Sequence, residues 1–272
     1  MHTTWINGRA ALELSSADRG LHYGDGLFET ITCVGGRPRW LPLHLERLRR
    51  GCERLGLPFV AFAPLQAEIG ALAAGPERCI VKLILTRGVA RRRGYRPAGD
   101  ETPTRILTRY DWPQSERAAE QGFRVAISGV RLGINPLLAG IKHLNRLEQV
   151  LAQAAMLDAP LDEVLMLSSA GRVIGGSMSN VFFAGEAGLF TPALQECGVA
   201  GIMRELVCAA AAQRGEPVQV RPVEAEELQQ VREAFVTNVR WGVQPIATLE
   251  GRTLPCRARA LELRSLIDAA SA

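Results

Sequence analysis

A lysine with an apolar approach on one side and a helix on the other is a candidate nucleophile. This sequence places one at Lys142, after Pro136-Leu-Leu-Ala-Gly140 and before Leu144-Asn-Arg-Leu-Glu-Gln-Val-Leu-Ala152. Partial desolvation disfavours an ammonium, and the resulting free amine attacks carbonyls and moves protons. A solvated lysine at a helix start is the commoner case, so Lys142 alone decides nothing. Gly198-Val-Ala-Gly-Ile-Met-Arg204 is a glycine-rich turn entering a helix. Such a terminus offers free N–H groups and the positive end of the helix dipole to a phosphate; taken alone, a tight turn without a ligand explains it better. Asp18-Arg-Gly-Leu-His-Tyr-Gly-Asp-Gly-Leu-Phe-Glu-Thr30 has three glycines between residues 20 and 26, a loop that permits positive φ or close backbone approach before a strand.

The elements that must position these residues are legible as a pattern of short strands and single helices. In the first half, Leu45, Leu48, Cys52 and Leu55 fall at helical spacing before Gly56 and Pro58, Cys79–Leu85 reads as a buried strand, and Arg105–Tyr110 as another. The polar stretch Asp111–Gln121 is the best linker. In the second half a strand is expected over Phe123–Ser128, and an amphipathic helix at Leu144, Leu147, Leu151 and Ala155. Strands Val164–Leu167, Val173-Ile174 and Val181–Phe183 are expected in hairpin order, with a turn at Ala170-Gly171. A helix over Ile202–Gln213 stops at Gly215, strands follow near Val218–Val223, Ala234–Thr237 and Pro245–Leu249, and a last helix starts near Arg257. The alternation predicts an α+β fold rather than a doubly wound sheet. No GxGxxG or Walker loop is present, which argues against a dinucleotide or nucleoside triphosphate site.

Composition sets the outer limits. The 272 residues are 47% hydrophobic and 22% charged, the balance of an ordinary globular chain with room for two lobes. No apolar run approaches the roughly 18–20 residues a bilayer span needs, and Met1–Trp5 does not read as a signal peptide. The six cysteines lie far apart, without metal-ligand spacing, and are expected as reduced thiols of a cytoplasmic protein. A formal charge of +4 with both signs interspersed is weak evidence for nucleic acid and compatible with a small anionic ligand.

Taken together and in order, Tyr23-Gly-Asp-Gly26, His44-Leu-Glu-Arg-Leu48, Lys142, Ser179-Asn-Val-Phe182, Gly201-Ile-Met-Arg204 and Thr237-Asn238 resemble the fold-type IV pyridoxal-5'-phosphate (PLP) enzymes. That group holds the branched-chain and D-amino acid aminotransferases and 4-amino-4-deoxychorismate lyase. The resemblance runs from Ile6-Asn7-Gly8 to Pro245. It implies a two-lobed fold like that of D-amino acid aminotransferase: a smaller N-terminal α/β lobe over 1–111, a linker over 112–121 and a larger β-rich, PLP-binding lobe over 122–272. It also implies a homodimer acting on a small substrate, with no part for nucleic acid, membrane or metal.

Residue roles follow from the same resemblance. Lys142 would carry PLP covalently and move protons, and Arg47 would grip the phosphate with a charge-assisted fork. The amides of Ile202 and Met203 and the Thr237 hydroxyl would complete the phosphate cup, with Asn180 beside the cofactor. Within the group, the string Gly140–Leu151, Arg93-Gly-Tyr95 and Thr30 are most similar to the lyase branch. That branch eliminates pyruvate from 4-amino-4-deoxychorismate to leave 4-aminobenzoate, and Thr30 would work on the leaving side of the substrate. Tyr23, Arg93, Tyr95, Asn238 and Arg240 are candidate substrate contacts, with Arg91 and Arg92 further candidates for its two carboxylates. One position departs from the pattern. The group's usual glutamate, paired with the PLP pyridine nitrogen, would stand five residues before Asn180, where this chain has Gly175. Its loss weakens the electron sink. It puts efficient transamination in doubt more than elimination and keeps open a PLP-binding protein of poor activity; an aminotransferase of the same fold is the other alternative to the lyase.

Overall fold

The computed structural model describes residues 3–59, 61–113, 120–185 and 188–270. Residues 114–119, the middle of the expected linker, lie outside the described residues. The chain divides into two units, Met1–Gln114 with Ile141–Asn145, and Ser115–Gly140 with Arg146–Ala272. The short segment around Lys142 therefore groups with the first unit.

The first unit contains β1 (Thr3–Ile6), β2 (Arg9–Ala10), α1 (Arg19–Tyr23), β3 (Gly26–Val34), β4 (Arg37–Pro38), α2 (Leu41–Leu55), α3 (Phe62–Ala73), β5 (Cys79–Thr86) and β6 (Thr104–Asp111). Its strands form a wholly antiparallel sheet in the order β2-β1-β6-β5-β3-β4. One face is buried: Leu27, Glu29, Ile31 and Cys33 of β3 and Cys79, Val81, Leu83 and Leu85 of β5. Phe28, Thr30, Ile80, Lys82 and Ile84, on the opposite face, are only half-buried. The sequence suggested a strand at Cys79–Leu85 buried throughout; the structure buries alternate residues. The helix α2 covers one face with His44, Leu45, Arg47, Leu48, Gly51 and Cys52. It packs so closely that a Cβ at Gly51 would lie 2.7 Å from Leu27 Cδ1. As expected, α2 ends at Gly56, in the left-handed conformation at φ 58.

Two helices were not read from the sequence. In α1, the Asp18 side chain accepts the Gly20 N–H and Gly24 closes the turn at φ 63, so the glycine-rich loop begins as a capped helical turn. In α3, Leu65, Ile69 and Leu72 are buried at helical spacing.

The second unit contains β7 (Phe123–Leu132), α4 (Leu147–Ala154), β8 (Glu163–Ser168), β9 (Val173–Gly176), β10 (Asn180–Gly185), β11 (Gly188–Pro192), α5 (Ile202–Gln213), β12 (Gln219–Arg221), a 3-10 helix (Ala225–Gln230), β13 (Glu233–Asn238), β14 (Gly242–Leu249), β15 (Arg252–Thr253) and α6 (Ala258–Ala269). Its sheet runs β12-β11-β10-β13-β14-β7-β8-β9, with β15 beside β14. Strands from both ends of that order share one apolar core, among them Leu165, Val173, Val181, Phe183 and Phe190, so the sheet curls around it. The expected hairpin order holds for β8 and β9, paired at Leu165↔Gly176. It fails for the next strand: β10 pairs with β11 and β13. The turn Ser177-Met178-Ser179 carries the chain from the last strand of the sheet to an inner one. The expected amphipathic helix is α4, but its apolar stripe faces outward: Leu147 is 78% exposed, Val150 and Leu151 58% each, and only Ala152 is buried. No helix among the described residues is long and apolar enough to cross a membrane.

Candidate functional site

In the first unit, the Lys142 segment lies along the start of β3. The Phe28 amide donates to the Lys142 carbonyl at 3.0 Å, and the Leu144 amide to the Gly26 carbonyl at 3.0 Å. Gly26 is required there, because a Cβ would sit 2.4 Å from the Leu85 carbonyl oxygen. These bonds hang the Lys142 side chain over the half-buried face of the sheet, with Nζ 4.0 Å from the centre of the Phe28 ring. Thr30, two residues further along β3, points to the same face. The amine proposed to carry the chemistry and the hydroxyl assigned to the leaving side thus share one surface.

Behind that face lies a buried polar cluster with Glu29 at its centre. Arg47 donates Nε to Glu29 Oε1 at 2.8 Å and Nη2 to Oε2 at 2.5 Å, while His44 Nδ1 lies 2.6 Å from Oε2. Burial by itself would raise the Glu29 carboxyl; the Arg47 guanidinium and the His44 and Arg47 hydrogen bonds overcome it and hold the group at about 2. Burial pushes His44 below its ordinary range despite Glu29, so the ring is neutral, donating through Nδ1–H. Its Nε2 is buried with no hydrogen-bond partner among the described residues. Two-point anchoring orients Arg47, which is 7% exposed.

A second carboxylate organises the rest of this unit. Asp25 accepts from Arg19 Nε and Arg87 Nε, each at 2.8 Å. Arg19 in turn donates to the Gly94 and Tyr95 carbonyls, and Arg87 to those of Leu55 and Gly56. Asp25 thereby ties the end of α2 to the loop that carries Arg93 and Tyr95. Tyr23 and Tyr95 are brought together, their rings 5.2 Å apart. Arg91, Arg92 and Arg93 are exposed, and Arg91 pairs with Asp100 at 3.0 Å.

In the second unit, Asn180 and Thr237 are directly opposed on β10 and β13. The Asn180 amide clamps the turn into α5: Nδ2 donates to the Val199 carbonyl at 2.8 Å and Oδ1 accepts the Gly201 N–H at 3.1 Å. Gly201 must be glycine, since a Cβ would lie 2.1 Å from Asn180 Oδ1. No side chain among the described residues caps α5, and the first-turn amides, Ile202 and Met203 among them, face no carbonyl of their own helix. The Thr237 hydroxyl, in a residue 1% exposed, has no hydrogen-bond partner among the described residues. A buried orphan hydroxyl is costly and calls for a ligand. An uncapped helix start, an amide-fixed turn and that hydroxyl fit a phosphate monoester.

Asn238 and Arg240 lie at the β13–β14 turn. Asn238 Oδ1 accepts the Arg240 and Trp241 amides at 3.0 and 2.8 Å, and Nδ2 donates to the Met178 carbonyl at 3.3 Å. Asn238 therefore shapes the turn, and the Arg240 guanidinium stacks 5.1 Å from the Trp241 ring.

Gly175 has no room for the absent glutamate as β9 is built. A Cβ there would lie 2.8 Å from the Ser179 carbonyl oxygen. The nearby acid is Glu163, which accepts from the Ser177 and Ser179 hydroxyls and the Ser177, Met178 and Val164 amides. Burial raises its carboxyl above the ordinary range against those bonds. It faces position 176, where a Cβ would lie 2.7 Å from Oε2, on the opposite side of β9 from position 175. The Ser177 hydroxyl is engaged by Glu163 and Gln153. Sequence reading missed Glu29, Asp25 and Glu163 as supports; the first and last sit in β-rich runs where an ionisable residue is itself a signal.

The family model for class IV amino-transferases matches residues 26–249, and the chain belongs to that family. An aminodeoxychorismate lyase of Vibrio harveyi is 33% identical over 244 residues, 89% of this chain and 90% of that protein. A putative branched-chain-amino-acid aminotransferase of Methanocaldococcus jannaschii is 29% identical over 258 residues, 92% of this chain and 88% of that protein. The crystal structure of the 4-amino-4-deoxychorismate lyase from Pseudomonas aeruginosa superposes with a TM-score of 0.92 at 42% identity, covering 98% of each chain.

Proposed function

We propose that this protein is a PLP-dependent carbon–oxygen lyase that converts 4-amino-4-deoxychorismate to 4-aminobenzoate and pyruvate. The observation that carries the reading is the shared face of Lys142 and Thr30, in a chain similar along 98% of its length to a lyase of that name. PLP, when bound, supplies an electron sink to the carbon bearing the substrate amine. Lys142 holds the cofactor through its amine and, once that amine is free, takes the proton from that carbon. Thr30 donates a hydrogen bond to the departing enolpyruvyl oxygen. Arg47, held by Glu29, the Ile202 and Met203 amides and the Thr237 hydroxyl bind the phosphate. Asn180 keeps the amides in place through Gly201. Tyr23, Arg93, Tyr95, Asn238 and Arg240 remain substrate-contact assignments, of which Asn238 acts by shaping the turn that presents Arg240.

The working state is a homodimer in the cytoplasm. The outward apolar stripe of α4 supports the first, because an isolated chain rarely leaves such a stripe in water. The six free thiols fit the second. Incubating the PLP-loaded protein with 4-amino-4-deoxychorismate should release 4-aminobenzoate and pyruvate together. Amino-group exchange between an amino acid and a 2-oxo acid, without pyruvate release from that substrate, would replace this reading with the aminotransferase.

A further inference from the structure

Two of the six cysteines face each other across a pair of strands. Cys33 on β3 and Cys79 on β5 are directly opposed in the antiparallel register. Both stand on the buried face of the sheet, 0% and 1% exposed. Directly opposed antiparallel residues have Cα atoms about 4.5–5.5 Å apart. That lies inside the span of roughly 4.4–6.8 Å that a disulfide bridges. The two thiols already meet: Cys33 donates to the Ile31 carbonyl at 3.8 Å and has the Cys79 thiol within hydrogen-bonding reach. Both are free. Cys52 and Cys208 lie on helices, and Cys197 and Cys256 outside any strand, so no other two cysteines are cross-strand partners among the described residues. Burial and the neighbouring Cys79 push the Cys33 thiol up to about 12, so the pair rests protonated and reduced. Its place in the sheet gives it a way to react. Cys79 follows the exposed segment 74–78, and Cys33 precedes the exposed Val34 and a turn of two glycines at φ 56 and 75. Strand ends of this kind open most readily. Arg109, opposite Val81 on β6 and so on the same face, is fixed by the Leu72 and Ala74 carbonyls, and its charge favours a thiolate at Cys33.

We propose that Cys33 and Cys79 form a redox-active dithiol, a modification site that hydrogen peroxide closes to a disulfide. One thiolate attacks a peroxide oxygen; the O–O bond breaks, hydroxide leaves and takes up a proton, and a sulfenic acid remains. The second thiolate attacks that sulfur, the S–S bond forms, and the sulfenic oxygen leaves as water. Two thiols and one hydrogen peroxide thus give one disulfide and two waters, the sulfurs losing the two electrons that the peroxide gains. The bond fastens the end of β3 to β5 without a change of register, because the partners are already opposed. The pair lies on the face turned away from Phe28 and Thr30, so this chemistry is separate from that of the cofactor and does not rest on the lyase reading.

The test uses the PLP-loaded protein carrying Cys256→Ser, which removes the exposed thiol and with it disulfides between molecules. After treatment with hydrogen peroxide, the thiols counted in denaturant should fall by two. Peptide mapping should find the peptide that carries Cys33 joined to the one that carries Cys79, and a phosphine reductant should restore both thiols. The melting temperature should rise by roughly 5–10 °C on oxidation, because the bond closes a long loop of the unfolded chain. Cys33→Ala and Cys79→Ala in the same background should each abolish the linked peptide and the rise. Cys33 and Cys79 left unlinked and unmodified by peroxide overturn the proposal. So do separate sulfinic acids at the two positions, or a disulfide that joins any other cysteines. A rise in melting temperature that persists in the alanine variants would overturn it as well. Mapping of the Cys256→Ser protein decides the matter even where neither alanine variant folds.

Discussion

Replacing Glu29 with glutamine removes one buried charge and leaves two basic side chains facing an amide. The structure sets the size of the effect. Burial works to raise the Glu29 carboxyl, but Arg47 and His44 hold it at about 2 against an ordinary 4.5, which contributes about 3 kcal/mol to folding at neutral pH. An independent estimate agrees: breaking one side of a buried ion pair costs about 3–5 kcal/mol, because the remaining ion stays desolvated. For a chain of this size that is a fall of roughly 6–12 °C in melting temperature. The sign of the pH dependence is fixed as well. The folded value lies below the unfolded one, so the contribution is complete above about pH 5 and disappears as pH falls from 4.5 towards 2. Melting curves of cofactor-free Glu29→Gln and unaltered protein should be well separated at pH 7, closer at pH 4 and separated by about a quarter of the neutral-pH gap near pH 2.5. PLP affinity at pH 7 should fall as well, because Arg47 loses the anchor that aims it. Equal melting temperatures at pH 7, or a gap of constant size down to pH 3, would refute the cluster as the support of Arg47.

Four further outcomes are expected. Thr237→Val should stabilise the cofactor-free protein by about 1 kcal/mol, by removing an orphan hydroxyl, and should weaken PLP binding severalfold; calorimetry with and without PLP reads both. Thr30→Val should keep cofactor affinity and lower 4-aminobenzoate formation on the order of 100-fold, and equal loss of both would make it structural. Borohydride reduction of the PLP-loaded protein followed by peptide mapping should find the label on Lys142, and a label on Lys82, the other lysine of the chain, would sink the assignment. Gly175→Ala should cost about 1–3 kcal/mol in urea unfolding, because its Cβ meets the Ser179 carbonyl at 2.8 Å; a fully stable variant would show that β9 has slack.

The elements that the sequence reveals are those whose local pattern agrees with their packing. Gly56 ends α2 because only a left-handed cap suits its φ of 58, and Ile202–Gln213 is helical with the bounds its pattern suggests. The failures have physical causes. The apolar spacing of α4 marks a helix but not the side on which its stripe is covered, and in this chain it points outward. Hairpin signals are local, so the passage from β9 to an inner strand through Ser177-Met178-Ser179 could not be read. The site shows the same split. Residues that belong to compact motifs, such as Lys142, Asn180 and Gly201, can be proposed from the sequence. Glu29, Asp25 and Glu163 cannot, because each acts on partners distant in sequence: Glu29 on α2, Asp25 on Arg87, and Glu163 on Ser177 and Ser179.

Gly175 joins the fold to the proposed chemistry. A carboxylate at that position would deepen the electron sink of the cofactor, and the backbone excludes one, since the Ser179 carbonyl occupies the space of its first carbon. Glu163 faces the other side of β9 and is engaged by two hydroxyls and three amides, which fix the Ser177–Ser179 turn. The two glycines and the glutamate therefore form one device. Glu163 draws the turn in, Gly176 leaves room for its carboxyl, and Gly175 accepts the carbonyl that the tightened turn presses against it. A site without that carboxylate would give its reaction less help from the cofactor's ring nitrogen. An elimination whose product is an aromatic ring gains that driving force from the substrate itself, whereas transfer of an amino group between aliphatic acids does not. Set beside the glutamate that the family resemblance implies at this position, the geometry around Gly175 supports the proposed lyase over the aminotransferase. It requires any aminotransferase side activity to be the weaker of the two.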